Sequence, residues 1–164
     1  MTILEVKNMA TRSTIMMQDK DGTFKGIYCH FDGYLSNVGK LLSEHYQDEN
    51  KVRALISLGS ISSLDKEVFI PDGVNHSYDS PVDGITIAYH RDRGEEIEYT
   101  RCVVGNTINE VKDRISNFYN YLYIDGIWHV NSEVLDEIDE LSQYEFENVI
   151  YLRLDSALEK NNEN

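Results

Sequence analysis

Two short stretches of this sequence carry residue types that can do chemistry at a usable spacing. Tyr28-Cys29-His30-Phe31-Asp32-Gly33 and Tyr89-His90-Arg91-Asp92-Arg93-Gly94 each place a histidine two residues before an aspartate and close on a glycine. Each reads as the end of a strand entering a turn, and on an extended chain residues two apart point the same way. An imidazole held by a carboxylate can act as a general base, and two such pairs offer ligands to a metal. On this reading His30, Asp32, His90 and Asp92 line one pocket with Arg12, a cation suited to clamping a phosphate or carboxylate. The chain would then be a small hydrolase or nuclease acting on a nucleotide or phosphodiester. The same residues have a plainer use: Asp before Gly is turn chemistry, and Arg12 can serve one of the many internal acids. Cys29 and His30 make a poor thiol dyad, because adjacent strand residues face opposite ways, and Cys29 reads as a small buried apolar side chain. His90-Arg91-Asp92 spells the start of a kinase catalytic loop, but the rest of that set is missing. Phosphate loop, dinucleotide fingerprint, zinc spacing, serine elbow and HExxH are also absent, so no catalytic residue, metal or cofactor is assigned.

Charge narrows the classes further. Lys and Arg number 15 against 29 Asp and Glu, a net charge of −14 over 164 residues. A large direct nucleic-acid footprint needs a basic surface and is disfavoured. With 41% hydrophobic and 27% charged residues the composition is globular, and the length suits one domain, residues 1–164. No run approaches the roughly 18 apolar residues of a membrane span. Met1 to Ala10 mixes Glu5 and Lys7 with apolar residues and does not read as a signal peptide. Two cysteines are too few for a disulfide scaffold, which points to a reduced, cytoplasmic setting.

The acids are uneven. From Glu133 to Asn164 ten of them face only Arg153 and Lys160. This is either a solvated helix face followed by a disordered acidic tail over 155–164, or a docking surface that imitates nucleic-acid phosphates and meets a basic partner. In the second case Asp136, Glu137, Asp139 and Glu140 are the contacts. Tyrosine is also abundant, 11 against 5 phenylalanines. Tyr121, Tyr123 and Trp128 cluster at one hairpin, where they either extend that interface or fill the core.

The elements that must position these groups follow from turn chemistry and periodicity. Arg12–Gln18 and Thr23–Phe31 form a hairpin around Asp19-Lys20-Asp21-Gly22. A helix capped by Ser36 runs to Tyr46, with Leu35, Val38, Leu41, Leu42 and His45 on one face. Asp48 caps a second helix that buries Val52, Leu55 and Ile56 and stops at Gly59. Ser60–Pro81 is a long loop with a short strand near Val68–Ile70. Gly84–His90 and Ile97–Val104 are strands that pair. Thr107 and Glu110 form a capping box for a helix to Tyr119. Asp125-Gly126 turns Tyr121–Ile124 into Ile127–Val130. Ser132 caps a helix with Val134, Leu135, Ile138 and Leu141 inward, and Phe146–Leu154 is a last strand or a helix. The sum is an α+β fold: a mainly antiparallel sheet built from hairpins, with three to four helices packed on one face.

Ala10-Thr11-Arg12-Ser13-Thr14-Ile15, then Gly26-Ile27-Tyr28-Cys29-His30-Phe31-Asp32-Gly33-Tyr34, then Val38-Gly39-Lys40-Leu41-Leu42 resembles a family of small uncharacterised phage and prophage proteins. That family opens with an Arg-Ser strand, a Tyr-x-His-x-Asp-Gly-Tyr turn and a glycine-bearing helix. The resemblance covers residues 10–46 and, more weakly, 90–96; Leu35 stands where the pattern usually has proline, which should loosen the helix start. It implies a viral or mobile-element origin and brings no catalytic residues. Joined to the acidic charge, it makes the leading expectation a non-enzymatic phage-type protein that binds and inhibits a host protein with a basic surface. Such a target would be a nucleic-acid-binding defence or transcription factor in the host cytoplasm. The small enzyme above and a virion structural or assembly component, which would need symmetric oligomers, are the alternatives.

Overall fold

The computed structural model describes residues 10–162, so the readings of Met1–Met9, Glu163 and Asn164 lie outside the described residues. The first hairpin forms as its turn chemistry dictates. Strands β1 (Ser13–Gln18) and β2 (Phe24–Cys29) pair antiparallel from Ser13↔Cys29 to Gln18↔Phe24. A π-helical turn over Leu35–Gly39 leads into α1 (Lys40–His45) with no side-chain cap, so Ser36 does not serve as one. Helix α2 (Glu49–Ser57) is capped as expected: the Asp48 side chain accepts from the Asn50 amide, and Val52, Leu55 and Ile56 are buried.

The next segment departs from expectation. Strand β3 (Ile61–Ser63) comes before the expected Val68–Ile70, near which only a bridge, Glu67↔Ile85, forms. Strand β4 is two residues long (Ile87–Ala88) and pairs with β3, after which Tyr89–Arg93 is a helix, α3. Ile97–Thr100 is another short helix, α4, and only Val103–Gly105 is extended, as β5 beside β2. Helix α5 (Ile108–Ile115) carries the expected cap: Thr107 Oγ1 accepts from the Glu110 amide at 3.1 Å, while the Glu110 carboxylate reaches the Asn106 amide at 2.6 Å.

Strands β6 (Tyr119–Ile124) and β7 (Ile127–Asn131) form the Asp125-Gly126 hairpin, with both turn residues at positive φ. A 3-10 turn over Ser132–Val134 follows where a helix was expected, and the chain then runs irregularly to β8 (Gln143–Phe146). A helix there would stack Glu133 on Glu137 and Asp136 on Glu140, and like charges four apart destabilise one. Its apolar spacing is used differently: Val134, Leu135, Ile138 and Leu141 pack on the core from the irregular chain. Strand β9 (Val149–Arg153) pairs with both β7 and β8. The tail expected to be disordered from residue 155 is helical: α6 spans Leu154–Asn162 and buries Ala157.

The expected mainly antiparallel sheet with three to four helices is corrected by the topology. Nine strands form one mixed sheet in the order β4-β3-β2-β1-β6-β7-β9-β8, with β5 beside β2, and six helices accompany it among the described residues. β1 pairs parallel with β6, from Ser13↔Tyr119 to Met17↔Tyr123, and β2 pairs parallel with β3 at Cys29↔Ile61. Helices also cover both faces rather than one. Ile15, Met17, Ile27, Tyr121 and Val130 meet Leu42, Val52, Leu55 and Leu154, whereas Met16, Phe24 and Leu122 meet Ile108 and Val111 of α5. Central β1 is therefore buried from Ser13 to Met17.

Candidate functional site

Neither histidine–aspartate pair forms a dyad. At the end of β2, His30 shares its face with Tyr28, and His30 Nδ1 lies 2.6 Å from the Tyr28 hydroxyl. Asp32 is exposed, sits at φ +55° and shapes the turn: its carbonyl accepts from Asn37 Nδ2 at 2.9 Å. None of the described hydrogen bonds or ion pairs joins its carboxylate to His30.

The second pair is separated by helix geometry. Residues two apart on a helix lie about 200° apart around its axis, so α3 sends His90 and Asp92 in nearly opposite directions. His90 is exposed, with Nδ1 2.7 Å from the Glu95 carbonyl. The Asp92 side chain is fully buried, where it accepts from the Ala88 amide at 2.7 Å and from Arg91 Nε at 2.9 Å, with His76 Nε2 at 3.5 Å. Arg91 also donates to the Val68 and Thr86 carbonyls. Asp92 thus fastens the 64–86 loop instead of presenting a base.

The fold does bring Arg12 and His30 together, along with Arg93, which the sequence reading did not single out. The imidazolium of His30 is disfavoured first by burial and then by the charges of Arg12 and Arg93. Arg93 is clamped between two rings, 4.5 Å from the Tyr78 centroid and 4.4 Å from that of Tyr89, and donates to Ser62 Oγ at 3.1 Å. Tyr89 and Arg93 stand four residues apart, a signal that becomes legible only once this stretch is seen to be helical. The cluster is cationic and aromatic and holds no activated nucleophile. Cys29 faces the core, and burial pushes its thiol up to about 12. Among the described residues no group of three or more His, Cys, Asp or Glu is placed to hold a metal.

The aromatic candidates are core residues, which corrects their reading as an interface. Tyr121, Tyr123 and Trp128 are buried. Tyr121 donates to the Gly33 carbonyl at 2.7 Å, Trp128 Nε1 to that of Tyr46 at 2.8 Å, and Tyr123 to that of Gln47 at 3.5 Å.

The acidic candidates are on the surface. Asp136, Glu137, Asp139 and Glu140 are all exposed, and none of the described ion pairs involves them. From Val130 to Leu152 the chain has seven acids and no Lys, Arg or His. Two of the seven are engaged locally: Glu133 accepts from Asn131 Nδ2, and Glu147 accepts from the Ile108 and Asn109 amides. The loop is held from below by its four apolar side chains, so its carboxylates point outward from an anchored ridge.

Comparison with protein-family models, with curated proteins and with solved structures finds no match for this chain. Among the described residues, no helix is long and apolar enough to cross a membrane.

Proposed function

We propose that this chain is a non-enzymatic binding protein that lays its acidic 133–145 ridge on a basic surface of a host protein. In the phage-type setting its resemblance implies, the target is a nucleic-acid-binding defence or transcription factor, and the ridge occupies the place of nucleic-acid phosphates. The supporting observation is the ridge itself: Asp136, Glu137, Asp139 and Glu140 outward, Val134, Leu135, Ile138 and Leu141 inward, with no base over 23 residues of chain. Anchoring matters because carboxylates already held in place need little further ordering on binding. A net charge of −14 adds long-range attraction that speeds encounter with a basic site.

The test is affinity purification of the tagged chain from a bacterial host at low and then high salt. We expect one stoichiometric basic protein that is lost as salt rises, since screening shortens the reach of charge to about 10 Å at 0.1 M. The variant Asp136→Asn/Glu137→Gln/Asp139→Asn/Glu140→Gln should lose the partner while keeping its fold. A partner that stays on this variant would overturn the proposal.

A further inference from the structure

Among the described residues, Arg12 and Arg93 place positive charge around His30. Ser13 opposes Cys29 and Tyr119, so Arg12 follows next to His30 on one side and Phe118 on the other. Thr14 opposes Tyr28 and Asn120, and alternation puts Arg12, Tyr28 and His30 on one face of the sheet. Helix α5 covers the middle of this face and ends at Ile115, whose carbonyl accepts from Thr14 Oγ1. Beyond that point the described residues leave the face open. Arg12 is exposed and makes no ion pair among the described residues, and Phe118 is 58% exposed. Arg12, Asn117, Phe118 and Tyr119 line an open groove of about 560 Å³, within the range of roughly 300–1,000 Å³ typical of small-molecule sites.

We propose that this groove binds a nucleoside monophosphate, with the phosphate on Arg12 and the base on the Phe118 ring. Two features set the chemistry. The first is the Arg12 guanidinium, exposed at the groove and without an ion pair among the described residues, in a chain of net charge −14. Arg93, held by Tyr78, Tyr89 and Ser62, adds a second positive charge near His30. A guanidinium suits phosphate, whose oxygens accept charge-assisted hydrogen bonds. The second is the exposed ring beside that charge. Strands lie about 4.8 Å apart, so Arg12 follows one strand from Phe118. A base stacked on the ring leaves its phosphate beside the guanidinium. Glu95 offsets part of the Arg93 charge, its carboxylate lying 3.5 Å from Arg93 Nη2.

The experiment is calorimetric titration of the full chain at low salt with adenosine monophosphate and, separately, with inorganic phosphate. The nucleotide should bind, and inorganic phosphate should bind at least tenfold more weakly because it lacks the base. Arg12→Ala should weaken nucleotide binding about tenfold or more, the loss expected for a charged hydrogen bond. Arg12 is exposed and unpaired among the described residues, so this variant keeps the fold. Phe118→Ala should weaken the nucleotide and leave inorganic phosphate unchanged, while Glu95→Gln should strengthen both. The proposal is overturned by no nucleotide binding, by equal affinity for the two ligands, or by binding that survives Arg12→Ala.

Discussion

His76 Nε2 stands 3.5 Å from Asp92 Oδ2, with both side chains fully shielded from solvent. The Val82 amide donates to His76 Nδ1 at 3.0 Å, so that nitrogen carries no proton. The proton is on Nε2, which faces the Thr86 carbonyl at 3.2 Å and the Asp92 carboxylate. One histidine thus closes the far end of the 64–86 loop on the aspartate that α3 buries.

Removing Asp92 should therefore cost more than removing its neighbour two residues away. Asp92→Ala takes one acceptor from Arg91 and His76 and the acceptor of the Ala88 amide. Breaking a buried charge pair costs about 3–5 kcal/mol. His90→Ala, on the exposed side of the same helix, should stay within about 0.5 kcal/mol of the parent. Urea denaturation of the two variants checks the contrast, and equal stabilities would contradict the latch.

Acid should weaken the fold through His129 and His30. His129 is 2% exposed, sits among the Tyr144 and Phe146 rings, and is held below the ordinary value of 6.5, mainly by burial. His30 is shifted in the same direction. The unfolded chain then takes up protons before the folded one does. The stabilisation is complete above about pH 6.5 and is lost as pH falls towards the folded-state values. Denaturation midpoints at pH 7.5 and 5.5 should differ less in His129→Phe than in the parent chain.

Two glycines with the same backbone sign should respond differently to a methyl group. Gly126, at φ +77°, has nothing within 4 Å of an added Cβ, so Gly126→Ala should cost only the left-handed strain, about 1 kcal/mol. Gly59, at φ +78°, would place that carbon 2.3 Å from the Thr100 carbonyl oxygen, which already accepts from the Ser60 amide at 2.6 Å. Gly59→Ala should lower the melting temperature clearly more than Gly126→Ala.

Glu147 should behave as a remote helix cap. From the β8–β9 turn its two carboxylate oxygens accept from the Ile108 amide at 2.5 Å and the Asn109 amide at 2.8 Å. A carboxylate at the first turn of a helix also meets the positive end of its dipole. Glu147→Ala should cost about 1–2 kcal/mol, measurable by thermal denaturation, and should speed amide exchange in the first turn of α5.

Local chemistry was legible in the sequence, and long-range pairing was not. The Asp19–Gly22 and Asp125-Gly126 turns, the Asp48 cap and the Thr107–Glu110 box depend on residues within a few positions of one another. Each element formed where those residues stand. The β1–β6 parallel pairing joins residues more than 100 positions apart through backbone hydrogen bonds, which leave no mark on side-chain order. Tertiary packing also overrode periodicity. Val134, Leu135, Ile138 and Leu141 carry helical spacing but anchor an irregular loop, because a helix there would stack its acids. It made α3 a helix and so parted His90 from Asp92, sank Tyr121, Tyr123 and Trp128 into the core, and set Arg93 beside His30. The residue types and the acidic charge belong to the sequence. Which of those residues meet, and which reach solvent, was decided by the mixed sheet and by the helices on both its faces.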